Sequence, residues 1–342
     1  MPYTVDPQTR AALDAMPRVP LAHLPTPISA WPRLSAALGG ARLWVKRDDL
    51  TGLATGGNKT RKLEFLFADA LERGADCVIT AGGPQSNHCR QTAAGAAKLG
   101  LEAHLVLGGD PVPPAESQGN LFLDRVLGAH VNFVPKDQRN TKMESLAAEL
   151  KAADKSPYVI PVGGSNAIGT LGYVTAMFEL AEQLNTMDTK FDRIVVATSS
   201  GGTQAGLTLG AKLIGFGGQV TAISIDQQPE DADTFTFRDH VRDTANETAA
   251  LLGSDARVTD ADLPINHDYL GGGYGVVGPP EVEAVNLLAT LEGTLVGPVY
   301  TSRALAGLID LIRNEAVSAD ENILFWHTGG DAALHAYRRD LA

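Results

Sequence analysis

The sequence predicts an α/β protein built on two open, mostly parallel sheets flanked by helices. Three observations carry this expectation. Short β-branched runs alternate with helical segments along most of the chain, the pattern of parallel strands linked by helices. Glycine-rich turns fall where strands run into helices, and open sheets of this kind bind ligands beyond the carboxyl ends of their strands. At 342 residues the chain exceeds the size at which a single core stops growing, so two domains are expected.

Residues 43–47 read as a strand, followed by a glycine turn and a helix from about Thr60 with its apolar residues on one face. Residues 76–80 are a strand and 91–99 an alanine-rich helix; 103–107 and 119–127 repeat the pair. Strands at 131–134 and 158–161 enclose a helix at 141–152. A second set follows: helix 172–184, strand 193–197, helix 203–213 and strand 220–224. A more polar, helix-prone segment leads to helices near 281–291 and 304–312, then strand 322–326 and a short helix. No solenoid repeat or low-complexity tract interrupts the pattern.

Hydrophobic residues make up 44% of the chain and charged residues 20%, enough apolar material for sizeable cores. The 40 acidic against 28 basic residues give a formal charge of −12. Such a surface repels phosphate backbones and anionic membranes, so neither nucleic acid nor membrane is expected as a partner. Cys77 in a strand-like stretch and Cys89 in a helix-like one suit a reducing compartment better than a disulfide framework. With no signal pattern at the N-terminus and no apolar run of bilayer length, a cytoplasmic enzyme is expected.

Lys59 follows the turn Thr55-Gly56-Gly57-Asn58. A lysine held near a buried turn can lose its proton through desolvation and act as an amine nucleophile or base. Most lysines are solvated, so its case rests on the other turns. Ser199-Ser200-Gly201-Gly202-Thr203 follows a strong strand and opens a helix, where free N–H groups suit a phosphate. An ordinary strand-to-helix turn fits it equally well, since it lacks P-loop and dinucleotide spacing. Residues 273–278 do match the dinucleotide spacing, but they follow no clear strand and run into Pro279-Pro280, which points to a flexible loop. Gln85-Ser86-Asn87-His88 offers a hydroxyl and an amide at a third such turn. Ser86 reads equally as a helix N-cap, and His88 as a solvated or core-edge histidine without a catalytic role. Tyr274 and Tyr300 are flanked by glycine or proline, a setting for exposed loops, although most tyrosines pack.

Together these motifs resemble one family. Lys-Arg-Asp-Asp-Leu from Lys46, Gly-Gly-Asn-Lys-Thr-Arg-Lys-Leu-Glu from Gly56 and Gln-Ser-Asn-His from Gln85 occur in order. Pro-Val-Gly-Gly-Ser-Asn from Pro161, Gly-Thr-Gln-Ala-Gly from Gly202, Pro-Val-Tyr-Thr from Pro298 and His-Thr-Gly-Gly from His327 complete the set. The chain resembles the aminocyclopropane-carboxylate deaminase / D-cysteine desulfhydrase group of pyridoxal-phosphate enzymes, which share the tryptophan-synthase-β-like fold, over nearly its whole length. The resemblance implies that Lys59 carries the Schiff-base link to pyridoxal phosphate and shuttles a proton. It implies that Asn87 meets the cofactor's phenolic oxygen and that Ser199, Ser200, Gly201, Gly202 and Thr203 bind its phosphate. Asn58, Thr301 and Thr328 join the expected cofactor contacts. Ser86, Asn87, His88, Tyr274 and Tyr300 would contact a small amino-acid substrate, with Ser86 and the two tyrosines also catalytic. No metal is expected at the site. Residues 65–172 would form a small domain set into a large one made of 1–64 and 173–342, with the cofactor between them. A homodimer is expected.

Two positions bear on the reaction. Ring-opening deaminases of this family have a glutamate after the Pro-Val-Tyr tyrosine and a leucine before the last Gly-Gly. Here they are Thr301 and Thr328, the pattern of the desulfhydrase branch. A carboxylate facing the pyridine nitrogen keeps it protonated and strengthens the electron sink for C–C cleavage, whereas a threonine offers a neutral hydrogen bond. Expelling a good leaving group from Cβ needs less delocalisation. The expected reaction is therefore β-elimination of D-cysteine to pyruvate, ammonia and hydrogen sulfide. Pro84, Gly297 and Ser302-Arg303 depart from the family pattern. They keep open an L-cysteate sulfo-lyase, in which Arg303 either serves the sulfonate or is an exposed surface arginine. A ring-opening deaminase is the next alternative. A non-catalytic amino-acid binder is the reading from a different class, and an intact Lys59, Asn87 and Ser199–Thr203 turn argue against it.

Overall fold

The computed structural model describes residues 2–227 and 236–342. In chain order its strands are β1 (Ile28–Ala30), β2 (Arg42–Lys46), β3 (Cys77–Gly82), β4 (Glu102–Gly108), β5 (His130–Val134), β6 (Pro157–Val159), β7 (Arg193–Thr198), β8 (Gln219–Ser224), β9 (Ile265–Asn266) and β10 (Asn322–Trp326). Its helices are α1 (Pro7–Asp14), α2 (Pro32–Leu38), α3 (Lys59–Glu72), α4 (Asn87–Leu99), α5 (Gly119–Val126), α6 (Arg139–Ala152), α7 (Ala167–Leu184), α8 (Gly202–Ile214), α9 (Phe237–Leu251), α10 (Pro279–Glu292), α11 (Thr301–Arg313) and α12 (Arg338–Leu341). Two sheets form, in the orders β1-β2-β10-β7-β8-β9 and β5-β4-β3-β6. The β1–β2 pair is antiparallel and every other pair is parallel. The expected fold class is the observed one.

Both faces of each sheet are covered, which is why the central strands read as nearly continuous apolar runs. Along β10, Leu324 and Trp326 point into the core shared with α7, α8 and α9, while Ile323 and Phe325 point into the core shared with α2, α10 and α11. In the second sheet, Val78, Leu105 and Leu107 pack on α3 and α4, and Ile79 and Val106 pack on α6. The period-two alternation of a strand thus divides one apolar run between two cores.

Element boundaries differ from the sequence reading in a few places. Helix α4 begins at Asn87, four residues earlier than expected, because Ser86 caps it by accepting from the Cys89 N–H at 3.2 Å. The polar segment contains α9, started by a capping box of Thr236 and Asp239. Strands β1 and β9, three and two residues long, are too short for any period to be legible. The 273–278 stretch is a loop, as expected, and Gly278 is the N-cap of α10. Cys77 and Cys89 are buried free thiols. All four strands of the second sheet lie within residues 77–159. We propose that 65–172 is the smaller domain, with boundaries inside α3 and α7.

A buried ionic cluster ties α3 and α7 to β2 and β10 of the larger sheet. Arg61 on α3 donates twice to Asp48, from Nε to Oδ2 at 2.9 Å and from Nη2 to Oδ1 at 2.8 Å. Asp48 also accepts from Tyr173 on α7 at 2.7 Å, from Trp326 on β10 at 2.8 Å and from Thr26 at 2.9 Å. Glu179 on α7 takes two further Arg61 bonds and pairs with Lys46 of β2 at 2.5 Å. Burial works to raise the Asp48 carboxyl, but the adjacent Arg61 outweighs it and holds the group below the ordinary carboxylate value. Removing one partner of such a pair strands a buried charge. An Asp48→Ala variant is expected to lose about 3 kcal/mol or more in urea unfolding. Loss of the exposed Arg313–Glu283 pair should cost under about 1 kcal/mol.

Candidate active site

A cavity of about 540 Å³ lies beyond the carboxyl ends of β3, β4, β7 and β8, at the seam between the two sheets. Of the residues expected at the site, Asn58, Lys59, Ser86, Asn87, His88, Ser199, Ser200, Gly201, Thr203, Tyr274, Tyr300 and Thr328 line it. Gly202 and Thr301 stand behind the wall.

Lys59 is the first residue of α3. The turn before it needs glycine: Gly56 has φ 74°, and a Cβ there would sit 2.0 Å from the Asp49 carbonyl oxygen. The Lys59 amine lies beside Gly163, where an added Cβ would be 3.4 Å from Nζ and 2.0 Å from Ser200 Oγ. Lys59 has an open side only toward the cavity. The surrounding protein desolvates its ammonium and lowers it to about 8.

Lys62, one turn along the same helix, is fully buried and donates to the Gly163 carbonyl at 2.7 Å and to Ser165 Oγ at 2.9 Å. Among the described residues no carboxylate pairs with it. Burial, and then the Lys59 charge, push it well below the ordinary lysine value. Ser165 Oγ also bonds Ser200 Oγ at 2.9 Å and accepts from the Gly202 N–H at 3.1 Å, which ties Lys62 to the N-terminus of α8. Asn58 Nδ2 reaches Thr203 Oγ1 at 3.1 Å. A buried amine with no anionic partner, beside the N–H groups of a helix start, is a place where a multiply charged anion would favour the protonated form.

Across the cavity, Asn87 Oδ1 accepts from Arg90 Nη1 at 3.1 Å and from Asn120 Nδ2 at 2.8 Å. Arg90 also holds Asn120 Oδ1 at 2.8 Å and the Gly56 carbonyl at 2.6 Å. With its oxygen occupied on the protein side, the Asn87 amide presents its NH2 as a donor, which suits a phenolate-like oxygen. Phosphate site, amine and amide donor together fit pyridoxal phosphate.

Tyr300 donates its hydroxyl proton to Tyr274 Oη at 2.8 Å, and the rings meet edge-on at 5.8 Å. Burial raises Tyr274 to about 12 and Tyr300 well above its ordinary value, so both stay protonated. The Tyr274 proton remains free to donate into the cavity. His88 Nε2 bonds Thr80 Oγ1 at 2.8 Å, and burial with the two nearby lysines keeps the ring neutral.

The structure corrects the reading of Arg303. It is neither an exposed surface arginine nor a sulfonate ligand, being buried on α11 and outside the cavity lining. It donates to Glu281 at 2.6 Å and to the carbonyls of Ile225, Gly273 and Val276 at 2.7, 3.1 and 2.6 Å. Those bonds clamp the loop that carries Tyr274. Gly297 has a steric cause: a Cβ there would lie 2.6 Å from the Gly330 backbone. Thr301 is fully buried, donates to the Gly329 carbonyl at 2.6 Å and lies 3.1 Å from Thr328 Oγ1, so Thr328 is the hydroxyl of the pair that faces the cavity.

Sequence reasoning missed Lys62, Ser165, Lys136, Arg139 and Asp226, of which Ser165 lies behind the cradle and Lys136, Arg139 and Asp226 line the cavity. Only Lys62 left a signal, since its i,i+3 spacing from Lys59 shares one helix face.

Fold and site define a pyridoxal-phosphate enzyme with two open α/β sheets. The chain belongs to the pyridoxal-phosphate dependent enzyme family, whose model matches residues 19–329. It is 42% identical to a D-cysteine desulfhydrase of Salmonella schwarzengrund over 95% of this chain and 97% of that protein. It is 42% identical to a bifunctional D-cysteine desulfhydrase/1-aminocyclopropane-1-carboxylate deaminase of Arabidopsis thaliana, covering 92% of this chain and 78% of that one. A putative 1-aminocyclopropane-1-carboxylate deaminase of Pyrococcus abyssi is 40% identical over 98% of both chains. The solved structure of an ACC deaminase homologue superposes with a TM-score of 0.88 at 40% identity, covering 98% of each chain. These similarities make the chain a pyridoxal-phosphate dependent lyase. No helix among the described residues is long and apolar enough to cross a membrane.

Two outcomes are expected. Uptake of pyridoxal phosphate by the apoprotein, followed by absorbance, should accelerate as pH rises through about 8, where Lys59 loses its proton. A midpoint near the ordinary lysine value, about 10.4, would contradict the desolvated amine. A Lys62→Met variant should bind the cofactor at least about tenfold more weakly by equilibrium dialysis, the loss of about 1.4 kcal/mol of charge-assisted contact.

Proposed function

We propose that the enzyme carries out β-elimination on D-cysteine, which with water gives pyruvate, ammonia and hydrogen sulfide. The observation that carries this reading is the Thr301–Thr328 hydroxyl pair, which occupies positions where ring-opening deaminases of the family have a glutamate and a leucine. When bound, pyridoxal phosphate supplies the electrophilic carbonyl and the conjugated ring that draws electrons from the α-carbon. Ser199, Ser200, Gly201 and Thr203 at the start of α8 would hold its phosphate, with Gly202 and Lys62 backing them through Ser165 and Asn58 bracing Thr203. Asn87 Nδ2 would donate to its phenolic oxygen, and Thr328, backed by Thr301, offers a neutral hydroxyl on the cavity wall.

Lys59 would hold the cofactor at its Nζ and would move the α-proton there, a task suited to an amine that titrates near 8. Ser86 Oγ accepts from the Cys89 N–H, which leaves its own proton to donate to the substrate carboxylate. Tyr274, supported by Tyr300, offers its proton toward the departing sulfur. His88 lines the substrate end as a neutral ring. Similarity to the Salmonella and Arabidopsis proteins supports a carbon–sulfur lyase.

A second reading, an L-cysteate sulfo-lyase, is favoured by one observation: Lys136 and Arg139 place two cations on the cavity lining, which would draw in a substrate with a second anionic group. The exposed apolar pair Phe122 and Val126, one turn apart on α5, supports a homodimer.

A visible cofactor band should be present in the wild type and lost, with all pyruvate release, in Lys59→Ala. Pyruvate release should be highest with D-cysteine when compared with L-cysteine, L-cysteate and 1-aminocyclopropane-1-carboxylate. Faster turnover of the cyclopropane would overturn the inference from Thr301 and Thr328. Fastest turnover of L-cysteate would move the assignment to the second reading.

A further inference from the structure

Far from the cavity, at the amino ends of β4 and β5, three ligand-type side chains converge. Glu102 and His104 are two apart on β4 and so share one face of the sheet, the face that α6 covers further along. His130 opens the edge strand β5 and is the register partner of His104. One ligand atom from each residue lies within 4.8 Å of the others, and His104 Nε2 is 3.5 Å from Glu102 Oε2. Tetrahedral zinc with nitrogen and oxygen ligands sets neighbouring donors about 3.4 Å apart. The two imidazoles stack at 4.7 Å with their planes 17° apart.

A second observation points to a missing partner. His104 is 8% exposed, and its Nε2 has no hydrogen bond. At 3.5 Å, Glu102 is too distant to satisfy it. Glu102 Oε1 is instead held by Lys155 at 2.7 Å, on the loop after α6. That ammonium sits half-exposed and can swing into solvent.

We propose that Glu102, His104 and His130 form a site for one divalent transition cation of the zinc class, separate from the catalytic cavity. Two imidazoles and one carboxylate select such ions over magnesium or calcium, which prefer all-oxygen cages. Water completes the coordination. The cation would fasten the edge strand β5 to β4, and it competes with Lys155 for Glu102.

The holoenzyme is equilibrated with zinc chloride, dialysed, and its zinc measured by competition with a chromophoric chelator. One equivalent per chain, insensitive to excess magnesium, is expected, with a higher thermal unfolding midpoint in zinc. Changes beyond the metal's own ligands already cost about 10–100-fold in affinity, so His130→Asn should cost at least tenfold and abolish the thermal shift. His130 is exposed, so this variant should fold even if His104→Asn does not. Lys155→Ala should bind more tightly. Absence of bound zinc, or binding unchanged by His130→Asn, would overturn the site, as would weaker binding in Lys155→Ala.

Discussion

The buried pairing of Asp48 with Arg61 is the constraint on which the site depends. Asp48 stands two residues beyond β2 and Arg61 two residues beyond Lys59, so their bidentate bond fixes where α3 begins relative to the larger sheet. Trp326 and Tyr173 bring β10 and α7 to the same carboxylate. With these elements fixed, the glycine turn at Gly56-Gly57 has one way to run, and Lys59 emerges at the seam between the sheets. A buried ion pair is weak evidence for stability, but here five hydrogen bonds satisfy one carboxylate, and its geometric effect is to set a register.

Electrostatics gives the cavity a character opposite to that of the whole chain. The protein carries a formal −12, yet Lys59, Lys62, Lys136 and Arg139 lie in or against the cavity. Lys62 has only a carbonyl and a hydroxyl for company. Burial disfavours the charged form of both lysines, and the Lys59 charge lowers Lys62 further; Lys59 titrates near 8 through burial alone. On the proposed reading, a dianionic phosphate at the α8 N-terminus would offset the Lys62 charge and leave Lys59 for proton transfer. The same arrangement therefore serves binding and reactivity through one balance of charge.

Much of this was legible in the chain. The strand and helix alternation located eight of the ten strands among the described residues, since buried parallel strands announce themselves as apolar runs. The short edge strands β1 and β9 escaped because two or three residues carry no period. Ser86 illustrates two roles in one residue: its hydroxyl oxygen caps α4, and the same residue lines the cavity. Arg303 illustrates the opposite case. An arginine near an expected pocket reads as a ligand or as surface, and nothing local announces that Glu281 and three carbonyls enclose it. Thr301 and Thr328 were identified as a pair by position, but not which of them would face inward.

By itself, the sequence determined the fold class and family, and singled out the lysine, amide and glycine-rich turns that the structure brings to one cavity. These depend on local periodicity and short motifs, which neighbouring residues encode. Only the tertiary structure decided which side chains lose water and which hydrogen-bond donors are already committed. It buried Lys62 without an anion, turned the Asn87 amide toward the cavity, assigned Arg303 to the Tyr274 loop and set Thr328 on the cavity wall. Each of these outcomes depends on at least one partner 27 or more residues away in the chain, and no local pattern specifies such distances.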